Sequence, residues 1–116
     1  MDQYHVWCNL KPKVSDVAFC EDVGRYLGAL RDGGRIRGFR LTRRKLGLGP
    51  PELPEFHIAI DVDDLAQLER AFQTVSERAD PIEELHARVN QVARDVRFAL
   101  YRDFPDPQRR RGAERF

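Results

Sequence analysis

Apolar and polar residues alternate along much of this chain, and where the alternation stops a three- and four-residue rhythm takes over. Tyr4, Val6, Cys8 and Leu10 share one parity and His5, Trp7 and Asn9 the other, which is the period-2 spacing of a strand. Lys11-Pro12-Lys13 ends it. Ser15 or Asp16 is placed to cap a helix running to Asp32, in which Val17, Cys20, Val23, Leu27 and Leu30 recur at helical steps and Phe19 and Tyr26 widen the stripe. Gly33-Gly34 stops that helix, since glycine tolerates the left-handed backbone found just past helix ends. Arg35–Lys45 predicts a second strand with Phe39 and Leu41 on one side. Ile36 is out of phase with them: either it faces the other side with Gly38, Arg40 and Thr42, or a bulge near Gly38 shifts the register.

The loop Leu46–Pro54 holds two glycines and three prolines, a stiff connection too long for a tight hairpin. Phe56, Ile58, Ile60 and Val62 then alternate with His57, Ala59 and Asp61 in a third strand. Asp63 or Asp64 caps a second helix striped by Leu65, Leu68, Phe72 and Val75, with Gln67 spaced to close a capping box on Asp64. Asp80-Pro81-Ile82-Glu83 is a fresh start signal, predicting a third helix over Asp80–Arg94 with Ile82, Leu85, Val89 and Val92 inward. Val96, Phe98 and Leu100 alternate with Arg97, Ala99 and Tyr101 in the last strand.

Strand, helix, strand, strand, helix, extra helix, strand is the order of an α+β, ferredoxin-like split βαβ fold. With right-handed crossovers it gives an antiparallel sheet of order 4-1-3-2 with the helices on one face. Residues 1–104 form one domain, and 105–116 are expected to be a basic, flexible tail. The aliphatic faces belong under the helices. The opposite face presents His5, Trp7, Asn9, His57, Ala59, Ile36, Arg40, Thr42, Ala99 and Tyr101, too apolar and aromatic to be left in water. A second copy of the same sheet is the simplest cover, which makes the expected assembly a homodimer with its sheets face to face. The loop Leu46–Pro54 is then the arm expected to reach across the partner.

That element order resembles the dimeric α+β barrel superfamily. The strings LTRRKLGLGPPELPEF and RDVRFALYRDFPD resemble, more narrowly, an uncharacterised bacterial branch of it over most of residues 4–106. The resemblance implies paired ferredoxin-like sheets and a small-molecule cleft, and relatives include cofactor-independent monooxygenases and isomerases. It implies no particular substrate. The extra helix before the last strand departs from the minimal barrel.

Composition narrows the partners more than the chemistry. Hydrophobic residues at 41% with charged residues at 34% fit a folded globular chain and not a disordered one. A net charge of +1, the lack of a long apolar run and an N-terminus without signal-peptide layout argue against membrane and secretion and place the chain in the cytoplasm. Locally the charge is uneven: Arg35, Arg37, Arg40, Arg43, Arg44 and Lys45 run without an acid, while Glu52–Glu84 is strongly acidic, blocks that can steer one copy onto another. Nucleic acid is not expected, because EFHIAIDV lacks the aromatic platform of RNA-binding sheets of this topology. Cys8 and Cys20 lack redox or zinc spacing and read as reduced, packed side chains, and no metal or cofactor is called for.

The candidate chemistry lies on the open sheet face. His5 and His57 fall on neighbouring strands, so their imidazoles can converge as proton-handling, catalytic groups, with Trp7, Asn9, Arg40 and Tyr101 as ligand-binding neighbours. The same histidines also fit a hydrogen-bonded dimer seam with no chemistry, since imidazoles are common in satisfied buried positions. Two functions therefore stand side by side: a cofactor-free dimer that binds or converts a small, partly aromatic molecule, and a non-catalytic dimeric binding or stress-response protein whose aromatic face only mediates pairing. His86 is assigned to the solvated side of the third helix.

Overall fold

The computed structural model describes residues 1–105, 109, 111 and 112. Most of the expected tail, 105–116, lies outside them. Seven elements follow in order: β1 (Asp2–Leu10), α1 (Asp16–Asp32), β2 (Gly38–Arg43), β3 (Phe56–Val62), α2 (Leu65–Ser76), α3 (Ile82–Asn90) and β4 (Ala93–Arg102). The sheet runs β2-β3-β1-β4, all neighbours antiparallel, which is the expected 4-1-3-2 order read from the other edge.

Local chemistry fixes the helix ends. Ser15 Oγ accepts the Ala18 amide at 3.2 Å, satisfying an otherwise orphaned first-turn donor of α1. Gly34 takes φ +73°, a left-handed conformation that lets the Arg35 amide return to the Leu30 carbonyl at 2.8 Å. At α2 the capping box closes one residue further out than expected: Asp64 Oδ1 accepts the Gln67 amide at 2.8 Å, and Gln67 Oε1 accepts the Asp63 amide at 2.7 Å. Gln67 is buried, and its Nε2 also donates to the Gly34 carbonyl, tying the start of α2 to the end of α1.

Between helices and sheet lies one core of Cys8 from β1, Phe19, Val23, Leu27 and Leu30 from α1, Phe56, Ile58, Ile60 and Val62 from β3, and Leu68 and Ala71 from α2. Four expectations change here. Val17 and Cys20 are exposed and the stripe of α1 enters the core through Phe19, whose ring meets Phe56 edge-on at 5.3 Å. The larger ring has more apolar surface to remove from water, so it decides which way the first turn faces. Ile36 is buried with the core and not on the open face; it precedes β2, which begins only at Gly38, so the alternation of that strand does not govern it. The third helix ends at Asn90, and β4 starts three residues earlier than the alternation suggested. It carries a bulge where Trp7 opposes Arg97 but Asn9 opposes Arg94, with Asp95 held at φ +56°. Finally, Phe98 (62% exposed) and Leu100 (52%) stand on the helix side of β4 yet lie beyond the reach of the helices.

The loop Leu46–Pro54 is pinned from within. The Arg44 guanidinium donates to the carbonyls of Pro50 and Leu53, and a Cβ on Gly49 would come within 2.7 Å of Arg44 Nε. Leu46 and Leu48 project from it, both well exposed.

Candidate functional site

Two groups of side chains stand out, one on each face of the sheet. On the open face, β1 and β3 put Trp7 directly opposite His57, and His5 one step along on the diagonal. The strand pairing closes this into a ladder of near-parallel rings: Trp7 and His57 stack at 4.7 Å and 12°, His5 and His57 at 5.0 Å and 9°. His5 Nδ1 and His57 Nε2 lie 2.8 Å apart, so one nitrogen donates and the other accepts. Tyr101 of β4 meets His5 edge-on at 5.0 Å. Burial lowers the basicity of both imidazoles; Asp61 works against this at His5, and the neighbouring His5 adds to it at His57.

Of the residues the sequence singled out, His5, Trp7, His57 and Tyr101 thus converge. Asn9 sits at the end of the ladder and its amide serves the fold, with Oδ1 accepting the Glu55 amide at 2.9 Å and Nδ2 donating to Asp95 at 3.1 Å. Arg40 lies opposite Ala59 on β2, exposed and apart from the rings. Of the expected basic cluster, Arg43 is turned to internal use, bridging Asp16 at 2.9 Å and Glu55 at 2.7 Å.

On the helix face lies a cavity of about 370 Å³, within the usual range for small-molecule sites. Val6, Ile58 and Ile60 form its floor and Val23, Leu27 and Val89 part of its roof. None of its lining side chains is an acid, a lysine or an arginine. Its polar groups are few: the Tyr4 and Tyr26 hydroxyls, Ser76, Asn90, the Cys8 thiol and the His86 imidazole. The Tyr26 and His86 rings are in contact at 5.3 Å. Burial pushes the Tyr26 hydroxyl up to about 12, with the nearby Tyr4 adding to the effect, and burial raises Tyr4 as well. Both phenols are therefore neutral donors throughout the physiological range. Burial likewise raises Cys8 to about 11, so its thiol is not a nucleophile. Phe72 and Phe98 flank Tyr4, the first edge-on at 5.4 Å and the second stacked at 6.0 Å, and being exposed they form a rim.

This cavity corrects one assignment. His86 is half-buried and lines the cavity, on the inner face of α3 and not on its solvated side. The signal was in the spacing, because Ile82, His86 and Val89 follow four- and three-residue steps and define an inward stripe. Among the described residues no group of three or more metal-ligating side chains comes together. Nor is any helix among them long and apolar enough to cross a membrane.

The fold recurs in solved structures of low sequence identity. The Arabidopsis thaliana protein At3g17210 superposes with a TM-score of 0.71 at 10% identity, covering 91% of this chain and 98% of that one. A dimeric ferredoxin-like protein of unknown function from Jannaschia sp. gives 0.64 at 12% identity, covering 89% and 100%. SnoaB, a cofactor-independent oxygenase from Streptomyces nogalater, gives 0.63 at 10% identity, covering 90% and 97%. Comparison with curated proteins finds no match. A family model does match, over residues 1–116, and the chain belongs to that family, DUF6614, a family of unknown function.

Proposed function

We propose that this chain is one subunit of a homodimer that takes up a small, neutral, largely apolar molecule in the cavity between helices and sheet, and that Tyr26 and His86 act on it there without a cofactor. The observation that carries the reading is the lining itself. An apolar wall with no charged side chain favours a neutral guest, and the paired phenol and imidazole give that guest one hydrogen-bond donor and one group able to exchange a proton. Likeness in fold to a cofactor-independent oxygenase supports chemistry run on side chains alone. The open face is then the seam: its stacked rings are apolar enough to need cover, and the likeness to a dimeric protein supports a second copy as that cover. The exposed Leu46 and Leu48 are suited to extend the contact across the partner.

A competing reading keeps His5 and His57 as the reacting pair, with Trp7 and Tyr101 holding the ligand and Asn9 and Arg40 at its margin. Their 2.8 Å contact and lowered basicity favour it, and it needs a seam that leaves the pair open. One set of measurements separates these. N-phenyl-1-naphthylamine, a neutral apolar dye, is expected to bind the wild-type chain at micromolar concentration and Val89→Trp, which fills the cavity, about tenfold more weakly or worse. Equal binding to both proteins overturns the cavity reading. A panel of neutral phenols and aromatic ketones, followed by mass spectrometry, then tests chemistry. Turnover lost in Tyr26→Phe and His86→Gln supports the assignment, turnover lost only in His5→Gln or His57→Gln supports the competing pair, and guests bound but recovered unchanged support a non-catalytic binding protein.

A further inference from the structure

The contact between His5 and His57 has a property that neither histidine has alone. At 2.8 Å, Nδ1 of one ring and Nε2 of the other share a single proton. A neutral pair keeps that bond, and so does a pair carrying one extra proton, because the extra proton sits on an outer nitrogen. A doubly protonated pair cannot keep it, since both facing nitrogens would then bear hydrogen. The rings would have to part, and with them the stack on Trp7, which lies 4.7 Å from His57 and 5.5 Å from His5.

We propose that this contact is a proton-operated latch on the dimer seam, holding two copies of the sheet together at neutral pH and releasing them when the second imidazole of the pair is protonated. The proposal rests on the homodimer reading above. The pair lies at the centre of the open face, so any cover on that face must settle on these rings and the charge they carry. The surrounding groups set the balance. From β3, Asp61 faces the pair, with one carboxylate oxygen already accepting from Gln3 at 2.8 Å; Glu55, just before that strand, is engaged by Arg43 at 2.7 Å. Across β3 from β2 stands Arg40, opposite Ala59. From β4 come Arg97, opposite Trp7, the Tyr101 ring, and Asp95, which accepts from Asn9. Asp61 is the one carboxylate that acts on the pair, which leaves little to neutralise two imidazolium ions, and pairing two copies doubles that charge.

The direction of the pH effect follows. In the single chain both imidazoles are already held below the ordinary 6.5, by burial first, so the folded chain binds protons less readily than the unfolded one. A partner sheet laid over the rings buries them further and acts in the same direction. The seam's contribution is complete above that value and is lost as pH falls through it.

The test is sedimentation velocity of the full chain at tens of micromolar, near pH 7.5 and near pH 5, with far-ultraviolet circular dichroism at both. Fluorescence of Trp7, the single tryptophan, reports on the ladder. The expected result is a dimer at the higher pH and a dissociation constant at least about tenfold larger at the lower, with the helical signal unchanged. His57→Gln, which keeps an amide to meet His5 but removes one titrating ring, is expected to dimerise with a much flatter pH dependence. A wild-type dimer equally tight at both pH values overturns the latch while leaving the dimer intact. A monomer at both overturns the dimer reading and the latch with it. A pH dependence unchanged in His57→Gln, or helical signal lost at the lower pH in both proteins, also overturns the latch.

Discussion

The two faces of one sheet are built from the same strands and solve opposite problems. On β1, Cys8 is 3% exposed and points into the core, while its neighbour Trp7 points the other way into a ladder of rings. The helix face is aliphatic, closed by α1, α2 and α3, and stabilised by removing apolar area from water. The open face gains its order from ring stacking and from polar contacts between strands: His5 with His57, Gln3 with Asp61, Asn9 with Glu55 and Asp95. The first face is covered within one chain except at the β4 end, where Phe98 and Leu100 stay exposed. The second is organised but uncovered, so changes there should act on association, and changes on the helix face on folding.

The sharpest way to break that division is to remove one aromatic ring from each face. Phe19 is 1% exposed, and Phe19→Ala deletes a ring wedged between α1 and Phe56. The expected loss is about 3–5 kcal/mol of unfolding free energy, read by urea titration followed by circular dichroism. Trp7→Ala, although it removes a larger side chain, is expected to cost the separated chain only about 1 kcal/mol, because one face of its ring packs on nothing but neighbouring rings of the open sheet. Its effect should instead be on self-association, with the dimer lost at tens of micromolar. If Trp7→Ala unfolds the chain as severely as Phe19→Ala, the two faces do not differ in kind.

Polar burial gives a smaller contrast. Gln67, 5% exposed, accepts the Asp63 amide at the start of α2 and donates to the Gly34 carbonyl, so two backbone groups depend on one side chain. Gln67→Ala is expected to cost about 1–3 kcal/mol, the range for stranding buried hydrogen-bonding groups. On the open face Gln3→Ala, which frees Asp61 toward solvent, should cost less than half of that. Equal losses in parallel denaturation curves would contradict the claim that helix-side polar groups are locked in place and open-face ones are not.

How much of this was legible beforehand follows from which features are local. The fold was readable because parity in β1 and β3 is clean and capping residues mark α1 and α2. The convergence of His5, Trp7 and His57 was readable because cross-strand neighbours follow from register alone. The cavity was not. Its volume is set by what the side chains of α1, α2 and α3 leave unfilled above the sheet, and no residue's own pattern encodes an empty space. His86 was misassigned because a histidine on an inward stripe looks like an interruption of that stripe until the neighbouring Tyr26 is seen in contact with it. Ile36 and the bulge at Asp95 escaped for a related reason: parity arguments assume an unbroken pleat, and the chain departs from one at both places.

The two cysteines offer the finest comparison, because the sequence pattern packs both and only Cys8 is buried. Cys8 lies in the core at 3% exposure and lines the cavity, so Cys8→Ser places a hydroxyl among Val6, Ile58 and Leu27 and is expected to cost about 1–3 kcal/mol. Cys20, one residue past Phe19, is exposed on α1, and Cys20→Ser is expected to change stability by no more than about 0.5 kcal/mol. The small number is the informative one. Had the stripe of α1 run through Val17 and Cys20, the serine would be buried and costly; because it runs through Phe19, Val23, Leu27 and Leu30, the serine meets water. A Cys20→Ser loss comparable to that of Cys8→Ser would move the first turn of α1 by most of a residue step and take Phe19 out of the core.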